Sequence, residues 1–305
     1  MTVTDIEEPA ARLRSLAIDI GGTKMAVGLV DTAGAILRRV QVPTVRTDDA
    51  EVLFAALTDA VTSVLAGPTP GSPAVVAGVG CGGPMARGGT TVSPLNIPAW
   101  RDFSLRDRVA ELTGLPTFVD NDAKALALAE GWVGAAAGVM DFLAMVVSTG
   151  VGGGIVLDGG LLDGAAGNAG HIGHVIVVPD GRQCACGARG CLEAEASGIA
   201  IAAITGHPAA EAPPEMVERT GMLVGRAVAS VANLLDLRLA VVAGSVALGF
   251  GEPFFAAAQD EVDRSARLAF SVGTQIRPGG LGAEGPLVGA AAVGWRGVGR
   301  FPHGG

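Results

Sequence analysis

Apolar residues in this chain come in short runs separated by glycine-rich turns. Residues 16–20, 25–30 and 36–42 are dense in Leu, Ile and Val, and their spacing predicts three strands joined by turns. Asp48, with Glu51 three residues on, has the form of a capping box ahead of a helix reaching about Leu65. Residues 74–79 read as a further strand, Ser104 as the cap of a helix that stops at Gly114, and 117–119 as a short buried strand; Asp122 opens a helix rich in Ala and Leu. A second set follows, with strands at 142–148 and 155–157, a cysteine-bearing loop and a long helix over about 215–237. After it come strand 239–243, a helix from about Pro253, strand 274–276 and a last small-residue helix after Pro286. Strands alternating with helices predict an α/β protein. The polar ends, 1–14 and 301–305, are expected to be flexible tails, with the folded part starting near Ser15.

At 305 residues the chain is long enough for two domains, or two lobes with a cleft. Lys and Arg number 21 against 30 Asp and Glu, a net charge of −9, so no basic face is expected for neutralising phosphates and a nucleic-acid partner is excluded. No apolar stretch is long enough to cross a bilayer, and Asp5, Glu7 and Glu8 stand where a secretory signal needs basic residues. A cytoplasmic protein without membrane attachment is expected. Three of the four cysteines fall within residues 184–191, a clustering that in a reducing compartment favours metal over disulfide.

The strongest organisational signal is an internal repeat. Leu16-Ala-Ile-Asp-Ile-Gly-Gly-Thr-Lys-Met-Ala-Val-Gly-Leu-Val-Asp31 aligns without a gap on Leu143-Ala-Met-Val-Val-Ser-Thr-Gly-Val-Gly-Gly-Gly-Ile-Val-Leu-Asp158, each reading as strand, glycine turn, strand. Two hairpins can resemble one another by chance. Alternatively, each turn offers bare backbone N–H groups that hold phosphate from both sides, where a Cβ would block close approach. On that reading Asp19, Gly21, Gly22, Thr23 and Lys24 of the first turn, and Ser148, Thr149 and Gly150 of the second, hold nucleotide phosphates and magnesium waters. Neither turn has the Walker pattern or the dinucleotide fingerprint.

His174 followed by Cys184-Ala-Cys186-Gly-Ala-Arg-Gly-Cys191 supplies four zinc-type donors in a polar loop, a closed tetrahedral set suited to a structural Zn2+. Burial of the cysteines as ordinary thiols is disfavoured by the neighbouring Asp180, Arg182 and Arg189. Asp120-Asn121-Asp122 sits where a strand ends and a helix begins. Helix capping accounts for either acid; a carboxylate at a strand end beside a glycine cleft is also placed to take the proton of an attacking alcohol. Asn96, His171, His174 and Glu193 are of types that suit the hydroxyls of a polyol. Asn96 is equally a turn former, and Glu193 a solvated or capping acid.

Taken together, Asp19-Ile-Gly-Gly-Thr-Lys24, Asn121-Asp122-Ala123, Ser148-Thr-Gly-Val-Gly-Gly-Gly154, Gly173-His174 and Cys184-x-Cys186-Gly-x-x-Gly-Cys191-x-Glu193 resemble the ROK family of repressors and sugar kinases, over about residues 15–295. The resemblance implies a two-lobe actin-like (hexokinase-like, ribonuclease H-like) α/β fold with a duplicated phosphate hairpin and a structural zinc loop. The smaller lobe would comprise 15–121 with 289–300, and the larger 122–288. It implies closure over substrate, ATP and Mg2+ as co-substrate and cofactor, transfer to a sugar 6-hydroxyl, and a homodimer. Carried over by position, Asp122 is the catalytic base, Gly83, Asn96, Asn121, Asp122, His171, His174 and Glu193 are sugar ligands, and Gly244 in Val241-Val-Ala-Gly-Ser-Val246 lies nearest the nucleotide. Family glucokinases usually have Glu where this chain has His171. The sequence Ala-Gly-His-Ile-Gly-His is similar to that of bacterial N-acetylmannosamine kinases, which favours an N-acylhexosamine over glucose. The repressor branch needs a helix-turn-helix for which the residues ahead of Leu16 are too few, and a catalytically silent sugar sensor is opposed by the intact Asp122 and both turns.

Overall fold

The computed structural model describes residues 13–67 and 73–300. Among these, one compact unit comprises 13–121 with 290–300 and the other 122–289.

The first unit is built on a five-stranded sheet: β1 (Arg14–Ile20), β2 (Lys24–Asp31), β3 (Ile36–Pro43), β4 (Ala74–Cys81) and β5 (Thr117–Asn121), in the order β3-β2-β1-β4-β5. β1 pairs antiparallel with β2 and parallel with β4. Its alternation explains both faces. Leu16, Ile18 and Ile20 join the buried cluster formed with Leu53, Phe54, Leu57, Val61 and Val64 of helix α1 (Ala50–Ala66). Each fully buried aliphatic side chain there contributes about 2 kcal/mol. Ser15 and Ala17 are small on the opposite face. Across the neighbouring Gly78, helix α9 (Gly285–Gly297) comes so close that a Cβ would strike the carbonyl of Ala290. The small-residue composition of that last helix thus serves close backbone packing.

Three local expectations need correction. β1 starts at Arg14, ahead of Ser15; the rest of the expected tails, 1–12 and 301–305, lies outside the described residues. The cap of α1 is Asp49, not Asp48: its carboxylate accepts from the N–H of Glu51 at 2.8 Å, while Glu51 turns away to pair with Arg108. Ser104 precedes helix α2 (Leu105–Thr113) but makes no capping bond with its side chain; Gly114 ends that helix at φ 68°.

In the second unit the sheet order is β10-β9-β6-β7-β8, from β6 (Phe142–Val147), β7 (Val151–Leu157), β8 (Gly160–Leu161), β9 (Leu239–Ala243) and β10 (Gln275–Pro278). Read from β8 to β10, it repeats the first sheet strand for strand, with β6 antiparallel to β7 and parallel to β9. The duplication therefore extends well beyond the hairpin legible in sequence. The hairpins differ in one respect: Ile20 pairs with Met25, whereas Val147 pairs with Val151, so the second turn is one residue shorter and the gapless alignment slips there.

Helix α3 (Asp122–Val133) lies on β6 and β7. α4 (Leu192–Ala196), α5 (Gly198–Thr205), α6 (Pro214–Leu235), α7 (Ser245–Phe250) and α8 (Glu252–Ser265) complete the unit. α6 meets α8 backbone to backbone, because Cβ atoms at Gly221 and Gly225 would strike the carbonyls of Phe254 and Ala258. β7 is longer than expected and takes in the glycines. Gly152 and Gly154 have no room for side chains, since Ala123 and Ala127 of α3 would stand 2.8 Å from their Cβ atoms. Those two glycines are packing residues, and Gly150 alone of the run sits in the turn.

Candidate active site

In the first unit, the turn between β1 and β2 is closed by the Gly21 N–H donating to the Lys24 carbonyl at 3.0 Å. Thr44, which no motif in the sequence marks out, braces it: its hydroxyl donates to Gly21 O at 2.6 Å and its N–H to Thr23 O at 3.0 Å. Thr23 and Lys24 stand exposed at the tip, and Asp19 is half-buried. A Cβ on Gly22 would lie 2.6 Å from that of Asn96, so the turn and this candidate sugar ligand are in contact.

Asn96 occupies the tip of a turn closed by Ile97 N–H to Pro94 O at 3.0 Å. The turn is held by Trp100, fully buried and stacked on Phe103 at 4.6 Å, and by Arg101 donating to the carbonyls of Pro94 and Ile97. Asn96 is both the turn former and an exposed amide. Gly83 lies beside Asn121, its Cβ position 3.7 Å from Asn121 Nδ2. The first turn, Asn96, Gly83 and Asn121 thus rest on one framework of strand ends and a braced loop. Asp120 is engaged elsewhere, its Oδ2 3.5 Å from Arg296.

In the second unit, Asp122 begins α3, and its Oδ1 accepts from the Ala123 N–H at 2.8 Å. Solvent reaches the side chain, yet surrounding protein displaces enough water that burial raises the carboxyl above its ordinary value of 3.8, against the smaller opposing effects of the Ala123 N–H, its own N–H and the nearby His171. Asp122 is thus exposed at the helix start while protein crowds around its carboxyl. His171 and His174 are both exposed, with ring centroids 6.2 Å apart.

Glu193 is not the solvated acid its sequence context allows. It is half-buried, and Oε2 accepts from the Val151 N–H at 3.0 Å just beyond Gly150, whose Cβ would stand 2.8 Å from the same oxygen. The turn carrying Thr149 and Gly150 is also joined to the start of α7 by the Ser148 and Ser245 hydroxyls at 2.9 Å. Gly244, preceding α7, has φ 100° and no space for a Cβ against the Val147 carbonyl, so the backbone requires glycine there.

The donor atoms of His174, Cys184, Cys186 and Cys191 all lie within 4.8 Å of one another. Cys186 Sγ is 3.7 Å from Cys191 Sγ, and Cys184 Sγ is 3.7 Å from His174 Nδ1. A tetrahedral site with metal–sulfur bonds of about 2.3 Å has sulfur–sulfur edges of about 3.8 Å, whereas a disulfide needs about 2.05 Å. The cluster has the dimensions of a metal site. Its charge chemistry agrees: burial and the neighbouring sulfurs push the Cys191 thiol up to about 12, while the Ala188 N–H and the Cys184 thiol lower that of Cys186. Thiolates held this close together call for a bound dication to offset their repulsion. The expectation that the cysteines are not buried holds for Cys186 alone; Cys184 and Cys191 are buried beneath the polar loop. The second support of this loop went unread in sequence: buried Glu195 accepts from the Arg182 N–H at 2.6 Å and from Arg219 at 2.5 Å.

Residues 15–295 match the family model described as ROK family. The chain belongs to the ROK family. It is similar to a relative named glucokinase from Halalkalibacterium halodurans, with 36% identity over 245 residues, 77% of this chain and 74% of that one. It is also similar to one named N-acetylmannosamine kinase from Citrobacter koseri, 39% identical over 256 residues, 78% of this chain and 86% of that one. Among solved structures, a ROK family glucokinase from Streptomyces griseus in complex with glucose and AMPPNP superposes with a TM-score of 0.79 at 30% identity, covering 93% of this chain and 99% of that one. The α/β architecture of two mixed sheets is that of these ROK structures.

Proposed function

We propose that this ROK protein is an ATP- and Mg2+-dependent sugar kinase with an actin-like fold, transferring the γ-phosphoryl group to the 6-hydroxyl of a hexose or N-acylhexosamine, with N-acetylmannosamine the favoured acceptor. The observation that carries the reading is Asp122, a reachable carboxyl at a helix start whose pKa is raised by burial. A carboxylate whose pKa is raised is a stronger base than a free one. It would accept the 6-hydroxyl proton as the oxygen attacks, while Mg2+ and the backbone amides of the two turns offset the charge of the phosphates. Thr23, Lys24 and Thr149, exposed at the turn tips, are the side chains we assign to phosphate, and Asp19 to the waters of Mg2+.

Asn96, Asn121, His174 and Glu193, with Gly83 and His171, are assigned to the sugar. A structural Zn2+ on His174 Nδ1 and the three cysteines would fix the His174 ring and leave its second nitrogen for the substrate. It would also hold Glu193, two residues past Cys191, against the second turn.

His171 is the basis for the acceptor. Where a carboxylate would take two hydrogen bonds from hydroxyls, imidazole donates one and leaves room near C1 and C2 for an acyl group. Glucose is the second reading, supported by the identity with the glucokinase from Halalkalibacterium halodurans. A coupled ADP-release assay with glucose, N-acetylmannosamine, N-acetylglucosamine, mannose, fructose and allose tests both. The highest kcat/KM is expected with N-acetylmannosamine. A profile confined to glucose overturns the acceptor, and no sugar-dependent ADP release overturns the kinase.

A further inference from the structure

Helix α3 is buried around its circumference, and Lys124 is inside it with its side chain only 2% exposed. The helix backbone closes on β7 at this residue where Gly154 has no Cβ, the Lys124 Cα lying 3.0 Å from that position. A buried ammonium is retained only when it is paired. Lys124 Nζ donates to Asp163 Oδ1 at 2.8 Å and to the Gly167 carbonyl at 3.2 Å.

Asp163 and Gly167 belong to the segment that leaves β8 and ends at His171. This segment turns at Gly164, Gly167 and Gly170, all at positive φ, so its own backbone resists unfolding weakly. Gly170 returns to the sheet, its Cβ position 2.7 Å from the Gly153 carbonyl. Lys124 ties both sides of the excursion to the helix whose first residue is Asp122.

We propose that Lys124 is a specificity-determining positioning residue, which fixes the 163–170 segment so that His171 is presented to the sugar in register with Asp122. The inference rests on the assignment of Asp122 and His171 to a sugar site. Lys124 touches no reacting atom; it sets the distance between the two residues assigned to the sugar.

The test compares Lys124→Met, which keeps the apolar stem, with Asp163→Ala, whose half-exposed side chain can be removed without opening the core. N-acetylmannosamine and glucose are titrated calorimetrically into each folded variant, and KM for ATP and Tm are recorded. Each variant is expected to weaken N-acetylmannosamine binding about tenfold, the effect of one lost charge-assisted hydrogen bond, with glucose affected less. The double variant should be no weaker than the worse single one, and KM for ATP should stay unchanged. Wild-type sugar affinity in a variant with lowered Tm, or sugar and ATP constants rising together, overturns the proposal. If Lys124→Met does not fold, Asp163→Ala decides alone. Because the titration needs no turnover, a failure of the kinase reading appears separately, as sugar binding without ADP release.

Discussion

Replacing Asp122 with asparagine separates two consequences of crowding one carboxyl. The folded-state pKa of Asp122 is raised above 3.8, so ionising it costs more in the folded than in the unfolded chain. Below the unfolded value both states hold the proton and no penalty exists. The penalty grows as pH rises through the folded pKa and is complete above it, so at neutral pH the ionised side chain destabilises the fold. Asparagine carries no charge and its amide oxygen can still accept from the Ala123 N–H, now 2.8 Å from Oδ1.

Solvent reaches this side chain and screens its charge, so the increase in Tm expected at pH 7.5 is smaller than a fully buried acid would give. The gain should shrink as pH falls through the folded pKa and vanish below the unfolded one. Turnover should move the other way, with kcat falling about 10²- to 10⁴-fold, the usual contribution of a positioned base. Differential scanning calorimetry across pH, beside ADP release at saturating sugar, reads both. An asparagine variant within tenfold of wild-type kcat refutes the base assignment, and one that melts lower at neutral pH refutes the account of its pKa.

The purified protein is expected to carry about one zinc per chain, measured by plasma emission, and Cys184→Ser should lose it together with thermal stability and sugar affinity. His171→Glu should shift the kcat/KM ratio about tenfold toward glucose over N-acetylmannosamine. The glycines of the second hairpin should divide. Gly152→Ala sets a Cβ 2.8 Å from that of Ala123 between two backbones and should cost about 1–3 kcal/mol in urea unfolding. Gly150→Ala meets only the carboxylate tip of Glu193 and should leave the unfolding midpoint nearly unchanged while lowering kcat/KM.

Strands were readable where side chains alternate or run apolar between turns, as in β1, β2 and β9, because burial on the sheet dictates those patterns directly. Helices α4, α5 and α7 were not. α4 is a single turn, and α5, Gly-Ile-Ala-Ile-Ala-Ala-Ile-Thr, is apolar throughout and carries no helical period. The convergence of His174 with the three cysteines was legible because their spacing is local, whereas Glu195, Thr44 and Lys124 act through partners 13, 23 and 39 residues away. A buried lysine and an exposed one look the same in a sequence. The slip between the two hairpins was hidden for a related reason: a turn can lose a residue while the side-chain pattern of both strands survives.

The glycine motif of the second hairpin, which reads in sequence as a phosphate nest, divides its labour. Gly150 serves the turn and lies against Glu193, while Gly152 and Gly154 let α3 settle on β7 through Ala123 and Ala127. That settling fixes Asp122, since the carboxyl sits at the end of the helix so docked. One strand therefore sets both the loop assigned to phosphate and the helix assigned to the base, and Lys124 extends the same framework to the segment ending at His171. Groups that must hold reacting atoms within a fraction of an ångström are best carried on rigid neighbours. The small residues along α3 and β7 achieve this by removing the side chains that would let the two elements slide.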